Sequence, residues 1–229
     1  MEFTIHDTPA TIVKKYPQAS DLFKENKIDF CCGGHIPLQE QVVNKDIDGS
    51  ELLSQLNKQY VAWKEAGNVA HNWDEVPLED LVDHIIYHHH AYVKEELPRL
   101  GELIERVYNV HGMDHPHLQT LFRLFNAFKI DMVEHMFKEE NVVFPLIKDY
   151  IANEDEQLLS QIRMLNDELE KEHDDSGDIL KQIREITNGF ELPFGACGTY
   201  QVTYARLAEL EDMTFEHIHL ENNVLFQRL

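Results

Sequence analysis

The chain has 229 residues and sets 20 Lys and Arg against 42 Asp and Glu, a formal net charge of −22. That balance excludes a phosphate-neutralising nucleic-acid binder and a surface drawn to anionic lipid. Hydrophobic residues make up 43% of the chain, too many for disorder and enough for one large domain or a small domain plus a bundle.

No apolar run approaches the roughly 18 residues that mark a membrane span. The opening MEFTIHDTPATIVKK lacks the basic-then-apolar order of a secretory signal. Cys31, Cys32 and Cys197 are odd in number and sparse, which reads as a protein of the reducing cytoplasm rather than a disulfide framework. The excess lies in histidine, with 14 residues, and histidine is the commonest metal ligand.

Residues 1–66 read as a small helical domain that carries Cys31 and Cys32. Pro9 suits a first helical turn, and Ile12, Val13, Tyr16, Ala19, Leu22 and Phe23 follow at helical spacing. DFCCGG then breaks the pattern, with Gly33 and Gly34 marking a turn. Leu52, Leu53, Leu56, Tyr60 and Trp63 form a second helical stretch, and residues 67–77, GNVAHNWDEVP, read as a linker.

Residues 78–229 carry helical periodicity in four segments, at 78–109, 116–150, 155–187 and 197–228, with almost no strand pattern. Segments of about 30 residues span about 45 Å each at 1.5 Å per residue. Long helices with short connections predict an all-α fold, an up-down-up-down four-helix bundle behind the small domain. Residues 1–75 hold 7 basic and 12 acidic side chains, and residues 76–229 hold 13 and 30, so the bundle wears most of the acidity on its solvated face.

The inward stripes are interrupted by polar residues. The second helix reads Leu121, Phe125, Phe128, Met132, His135, Glu139, Val142, Leu146. The third reads Leu158, Ile162, Leu165, Leu169, His173, Ser176, Leu180, Ile183, and the fourth Tyr200, Thr203, Leu207, Leu210, Thr214, His217, Glu221, Val224. In the first helix His88, His89 and His90 are consecutive. Continuing from His90 meets Val93, Leu97, Leu100, Ile104 and Val107, whereas continuing from His89 meets Tyr92, Glu96 and Arg99. This selects His90, with a shift to His89 left open, and Pro98 stands where it can kink the helix.

Buried polar groups need partners. His90, His135, Glu139, His173, His217 and Glu221 therefore point to a metal site. HMFKEENVVF (135–144) and HIHLENNVLF (217–226) match at His, Glu, Asn, Val and Phe, so the bundle reads as two related halves. Imidazole and carboxylate without thiolate suit iron or manganese, with zinc an alternative. Six donors exceed the four of a closed structural zinc site and suggest two metals bridged by the glutamates. A bridging oxo or hydroxo group would then leave about one open position on each.

DFCCGG, HHAYVKEELPRL, EHMFKEENVVFP, EHDDSG and HIHLENNVLF together resemble the iron-sulfur cluster repair di-iron (RIC) proteins over essentially the whole chain. The resemblance implies a hemerythrin-like bundle behind a cysteine-containing domain. It implies two non-haem irons held by the same six residues, with Glu139 and Glu221 bridging. It also implies a cytoplasmic homodimer that restores clusters damaged by nitrosative or oxidative stress, by iron donation to damaged iron-sulfur proteins, by NO reduction, or both. Whether the chain is an enzyme stays open. A hemerythrin-like module that binds or senses O₂ or NO is the alternative; iron storage and zinc hydrolysis are more distant.

Cys31 and Cys32 have two readings, as small apolar groups packed beside Phe30 or as a redox or iron-handling pair. Cys197 reads as a core or cap residue. His111, His115 and His117, in HGMDHPH, are expected to be exposed. His219 and Glu140 lie off the stripes, on the surface or behind the ligands.

Overall fold

The computed structural model describes residues 2–229, all helices and connections, with no strand among the described residues. It divides into two compact units, Met1–Pro77 together with Ile218–Leu229, and Leu78–His217.

The first unit carries α1 (Pro9–Lys15), α2 (Ala19–Glu25), α3 (Leu38–Asn44) and α4 (Gly49–Glu65). Thr8 caps α1, its side chain accepting from the Thr11 amide, with Pro9 in the first turn. Asp48 caps α4 by accepting from the amides of Ser50 and Glu51; such caps are worth about 1 kcal/mol each. The apolar set 12–23 is one run in sequence but two helices in space. Pro17 disfavours α conformation at the residue before it, and Tyr16 accordingly leaves the helix at φ −141° and ψ 85°. Phe3, Ile12, Phe23, Phe30, Leu38 and Leu56 form the core.

The DFCCGG turn is tied by Gln41. Its Oε1 accepts from the Asp29 amide at 2.8 Å, and its Nε2 donates to the carbonyls of Asp29 at 2.7 Å and Gly33 at 2.9 Å. Gly34 is required there, because a Cβ would stand 2.3 Å from the Phe30 carbonyl oxygen.

The bundle is an up-down-up-down arrangement of four rods. The first comprises α5 (Leu78–His84), a π-helical segment (Ile85–His90) and α6 (Ala91–His111). The second comprises α7 (His117–Lys138), a π segment (Glu139–Val143) and α8 (Phe144–Asn153). The third is α9 (Glu156–Ile186), 31 residues capped by Asp155, and the fourth is α10 (Gly198–Leu220) running into a third π segment (Glu221–Leu225). Rods are tied pairwise by ion pairs, Arg206 with Glu96 and Arg184 with the wholly buried Glu211.

The π segments fall where the stripes turn polar. A π turn adds one residue to the helical turn, so the inward stripe advances by one position. Beyond Glu139 the buried residues are Val143, Phe144 and Ile147, not the expected Val142 and Leu146, and Val142 is 41% exposed. Before His90, Ile85 is buried while Ile86 is only half-buried. Pro145 lacks the amide that would return to the Asn141 carbonyl, one reason the regular ladder gives way at 139–143. The helix continues through Pro98, and the irregularity of the first rod lies upstream at Ile85–His90.

Candidate metal centre

His90, His135, Glu139, His173, His217 and Glu221 are all at most 2% exposed. The regular α-helix before each π segment sets the donors in phase. His135 and Glu139 stand one turn apart on the second rod, and His217 and Glu221 repeat the spacing on the fourth. Donor atoms of His135, Glu139, His173, His217 and Glu221 all lie within 4.8 Å of one another.

His90 joins this set through two contacts: its Nε2 is 3.3 Å from Glu139 Oε2 and 3.2 Å from His217 Nε2. His135 Nε2 is 3.2 Å from Glu139 Oε2 and 2.9 Å from His173 Nε2. The four imidazoles thus form two Nε2 pairs, His90 with His217 and His135 with His173, facing one carboxylate. Neither oxygen of Glu139 accepts a hydrogen bond of good geometry, although three imidazoles ring it. A buried carboxylate facing convergent imidazole nitrogens without hydrogen bonds is poorly compensated by protein alone. A cation supplies what is missing, so the donor set fits the metal that the sequence pattern implies.

Two further carboxylates orient the imidazoles. His90 Nδ1 is 2.7 Å from Glu140 Oε1, and His135 Nδ1 is 2.9 Å from Glu172 Oε2. A ring that donates its Nδ1–H to a carboxylate presents a lone pair at Nε2, the tautomer a metal requires. Each carboxylate is in turn anchored by lysine, Glu140 by Lys94 at 2.6 Å and Glu172 by Lys138. The His135 hydrogen bond, aided by Lys138, lowers the Glu172 pKa to about 2. Burial raises that of Glu140, but Lys94 and His90 prevail and lower it.

Of the two places the sequence left to Glu140, it takes the one behind a candidate ligand. Glu172 was missed altogether. It precedes His173 and is only half-buried, and no stripe argument selects it; what marks it is its approach to His135 from the neighbouring rod. His89 is as buried as His90. It does not approach Glu139 as His90 does, and its ring centroid lies 6.2 Å from that of His217. Burial, with the neighbouring His217, His84 and His88, lowers its pKa to about 3.

Cys31 is buried and Cys32 half-buried, neither in a disulfide, with their Sγ atoms 3.7 Å apart. Asp29 Oδ1 accepts from the amides of Cys31 at 3.1 Å and Gly33 at 3.0 Å, and lies 3.5 Å from Cys31 Sγ. His219, buried, turns its Nδ1 to the Phe30 carbonyl at 3.2 Å, and burial lowers its pKa to about 4. Asn223 Nδ2 donates to the Cys31 carbonyl at 2.8 Å.

Cys197 is exposed rather than in the core, its Sγ 3.3 Å from His111 Nε2. His111, His115 and His117 are half-buried rather than exposed, because Tyr200 and Tyr204 close over the loop. His117 Nε2 is 2.9 Å from the Tyr204 hydroxyl and 3.2 Å from that of Tyr200. Among the described residues no helix is long and apolar enough to cross a membrane.

A helical bundle with a buried histidine and glutamate cluster is an architecture of the hemerythrin class, and the model of the Hemerythrin HHE cation binding domain matches residues 81–229. A second model, ScdA_N, a domain of unknown function, matches residues 6–60. Iron-sulfur cluster repair protein ScdA of Staphylococcus epidermidis is 34% identical over 227 residues, 99% of each chain. Iron-sulfur cluster repair protein YtfE of Pectobacterium atrosepticum is 36% identical over 214 residues, 93% of this chain and 91% of its own. The Escherichia coli O157:H7 protein of the same name is 34% identical over 213 residues, 93% and 91% of the two chains. The chain belongs to this family of iron-sulfur cluster repair proteins with a hemerythrin HHE domain.

Proposed function

We propose that the buried cluster holds two irons, with His90, His135, Glu139, His173, His217 and Glu221 as ligands and the two glutamates bridging. We propose further that the chain acts in the repair of iron-sulfur clusters damaged by nitrosative or oxidative stress, in the cytoplasm and as a homodimer. The division of labour follows the sequence reading: residues 78–229 hold the iron, residues 1–66 present Cys31 and Cys32, and 67–77 link them. The observation that carries the reading is the pair of Nε2 couples, His90 with His217 and His135 with His173, facing a buried Glu139 carboxylate without hydrogen bonds.

Iron held by imidazole and carboxylate supplies a redox-active centre that takes up NO or O₂ and parts with its metal more readily than thiolate-held iron does. The protein's own groups set the conditions. Glu140 and Glu172 keep His90 and His135 in the tautomer with Nε2 unprotonated. The lysines beside them keep those carboxylates ionised. Leu97, Leu121, Phe128, Met132 and Phe144, all buried, keep bulk water out of the core. Cys31 and Cys32 are proposed to handle iron or electrons.

Protein purified without oxygen is expected to carry two irons, visible by metal analysis and Mössbauer spectroscopy. Mixed with a damaged iron-sulfur enzyme, it is expected to restore activity; no recovery with fully loaded protein overturns the donation reading. Anaerobic NO addition distinguishes the alternatives, since nitrous oxide marks turnover and reversible binding without it marks a hemerythrin-like carrier or sensor. Unchanged repair after C31S/C32S removes the role given to the cysteines.

A further inference from the structure

Three histidines outside the central cluster converge on one side of the first rod. Donor atoms of His84, His88 and His89 lie within 4.8 Å of one another. Their ring centroids are 5.0 Å apart for His84 and His88, 5.3 Å for His84 and His89, and 5.0 Å for His88 and His89. The local helix explains the convergence. In a regular α-helix residues i+3 and i+4 lie over residue i and i+5 does not, so His88 would face His84 while His89 turned away. Here Ile85–His90 is π-helical, its wider turn brings i+5 over i as well, and both histidines flank His84.

A second observation is independent of the clustering. His89 is 0% exposed, and its ring nitrogens make no hydrogen bond of good geometry, although the Met213 backbone approaches it. A buried imidazole is ordinarily satisfied on at least one nitrogen; this one faces two other imidazoles. His88 is exposed and His84 half-buried, so the three rings form a path from solvent to the interior. It ends where His89 stacks against His217, centroids 6.2 Å apart. Glu216 interacts electrostatically with His88 and adds negative charge at the solvent end.

We propose that His84, His88 and His89 form a second metal site that takes one divalent first-row transition ion through three neutral imidazoles. The site stands between solvent and the central cluster. Iron(II) is its physiological occupant and the site its staging point on the way in or out, a role that rests on the iron-donating function proposed above; the binding itself does not.

The test is anaerobic titration of the metal-free full-length chain with cobalt(II), counting bound metal by equilibrium dialysis. Wild type is expected to bind three equivalents, H84A/H88A two, and H135A/H173A to retain the triad's one. His88→Gln, at an exposed position where folding is not at risk, is expected to weaken the triad's equivalent by about tenfold or more, since loss of even an outer-shell partner costs that much. Equal stoichiometry and affinity in wild type, H84A/H88A and H88Q overturns the proposal. If instead the central reading fails, wild type binds one equivalent and H84A/H88A none, so the two failures give different counts.

Discussion

Replacing Glu140 with glutamine isolates the contribution of the carboxylate behind His90. The substitution keeps the shape and an accepting oxygen 2.7 Å from His90 Nδ1, and removes only the charge. Hydrogen bonds to charged groups contribute about 1.5–3 kcal/mol. The Glu140 side chain is 21% exposed, which puts its contribution in the lower part of that range. At roughly 1.4 kcal/mol per decade, a loss of that size weakens metal binding about 10- to 30-fold, within the range seen for partners behind metal-bound histidines. The assay is competition for metal against a chelator of known affinity, with thermal unfolding of the metal-free chain as control. Because Glu140 also pairs with Lys94, metal-free stability is expected to fall by about 1 kcal/mol, and the control separates that loss from the loss of metal affinity. An affinity changed by less than about twofold, in a chain that unfolds normally, refutes the reasoning that Glu140 sets the His90 tautomer. Glu172→Gln repeats the test at His135. Because His90 and His135 belong to different Nε2 pairs, the two effects should add if the pairs hold separate ions.

Other outcomes follow from the same geometry. Chelation of two bound ions is expected to lower the thermal midpoint by roughly 10–20 °C, taking free metal at about 100 times the dissociation constant of each site and the shift per kcal/mol of a chain this size; a midpoint indifferent to metal means nothing binds the folded state selectively. Val143→Asp should unfold the bundle while Val142→Asp is tolerated, since Val143 is wholly buried and Val142 is not; urea denaturation giving the reverse order would show that the π turn does not set the register. At neutral pH a thiol reagent should modify Cys197 before Cys31. Hydrogen bonding from the Tyr200 backbone and from His111 lowers the pKa of the exposed Cys197, and Cys31 is buried; peptide mapping that finds Cys31 first contradicts this.

The rods were legible because long helices repeat their pattern many times, and a polar residue on an apolar stripe stands out against it. His173 is the plainest case, sitting between Leu169 and Ser176 on a regular helix whose stripe holds from Leu169 onward; nearer its start Leu159 is buried in place of the expected Leu158, and Leu165 is half-buried. Register beyond Glu139 was not legible. Period counting assumes a uniform turn, and the one-residue advance that buries Val143 and Ile147 depends on a local loosening of the ladder that no periodicity encodes. The same loosening leaves His89 buried beside His90, which a strict count places on different faces. Glu172 escaped for another reason, since its job is set by a neighbouring rod and its own stripe is solvent-facing. Pro17 could have been read as the end of α1, but the apolar spacing on either side of it happens to stay in phase.

The internal repeat is put to two uses in the fold. Both copies pass from α to π at the glutamate, Glu139–Val143 in one and Glu221–Leu225 in the other. Their outer halves have parted. Asn141 turns its amide onto its own helix, donating to the Phe137 carbonyl at 2.8 Å, whereas its counterpart Asn223 holds the Cys31 carbonyl at the same distance. The same short pattern thus serves two different exteriors, and in the second copy its outer asparagine fastens the thiol loop.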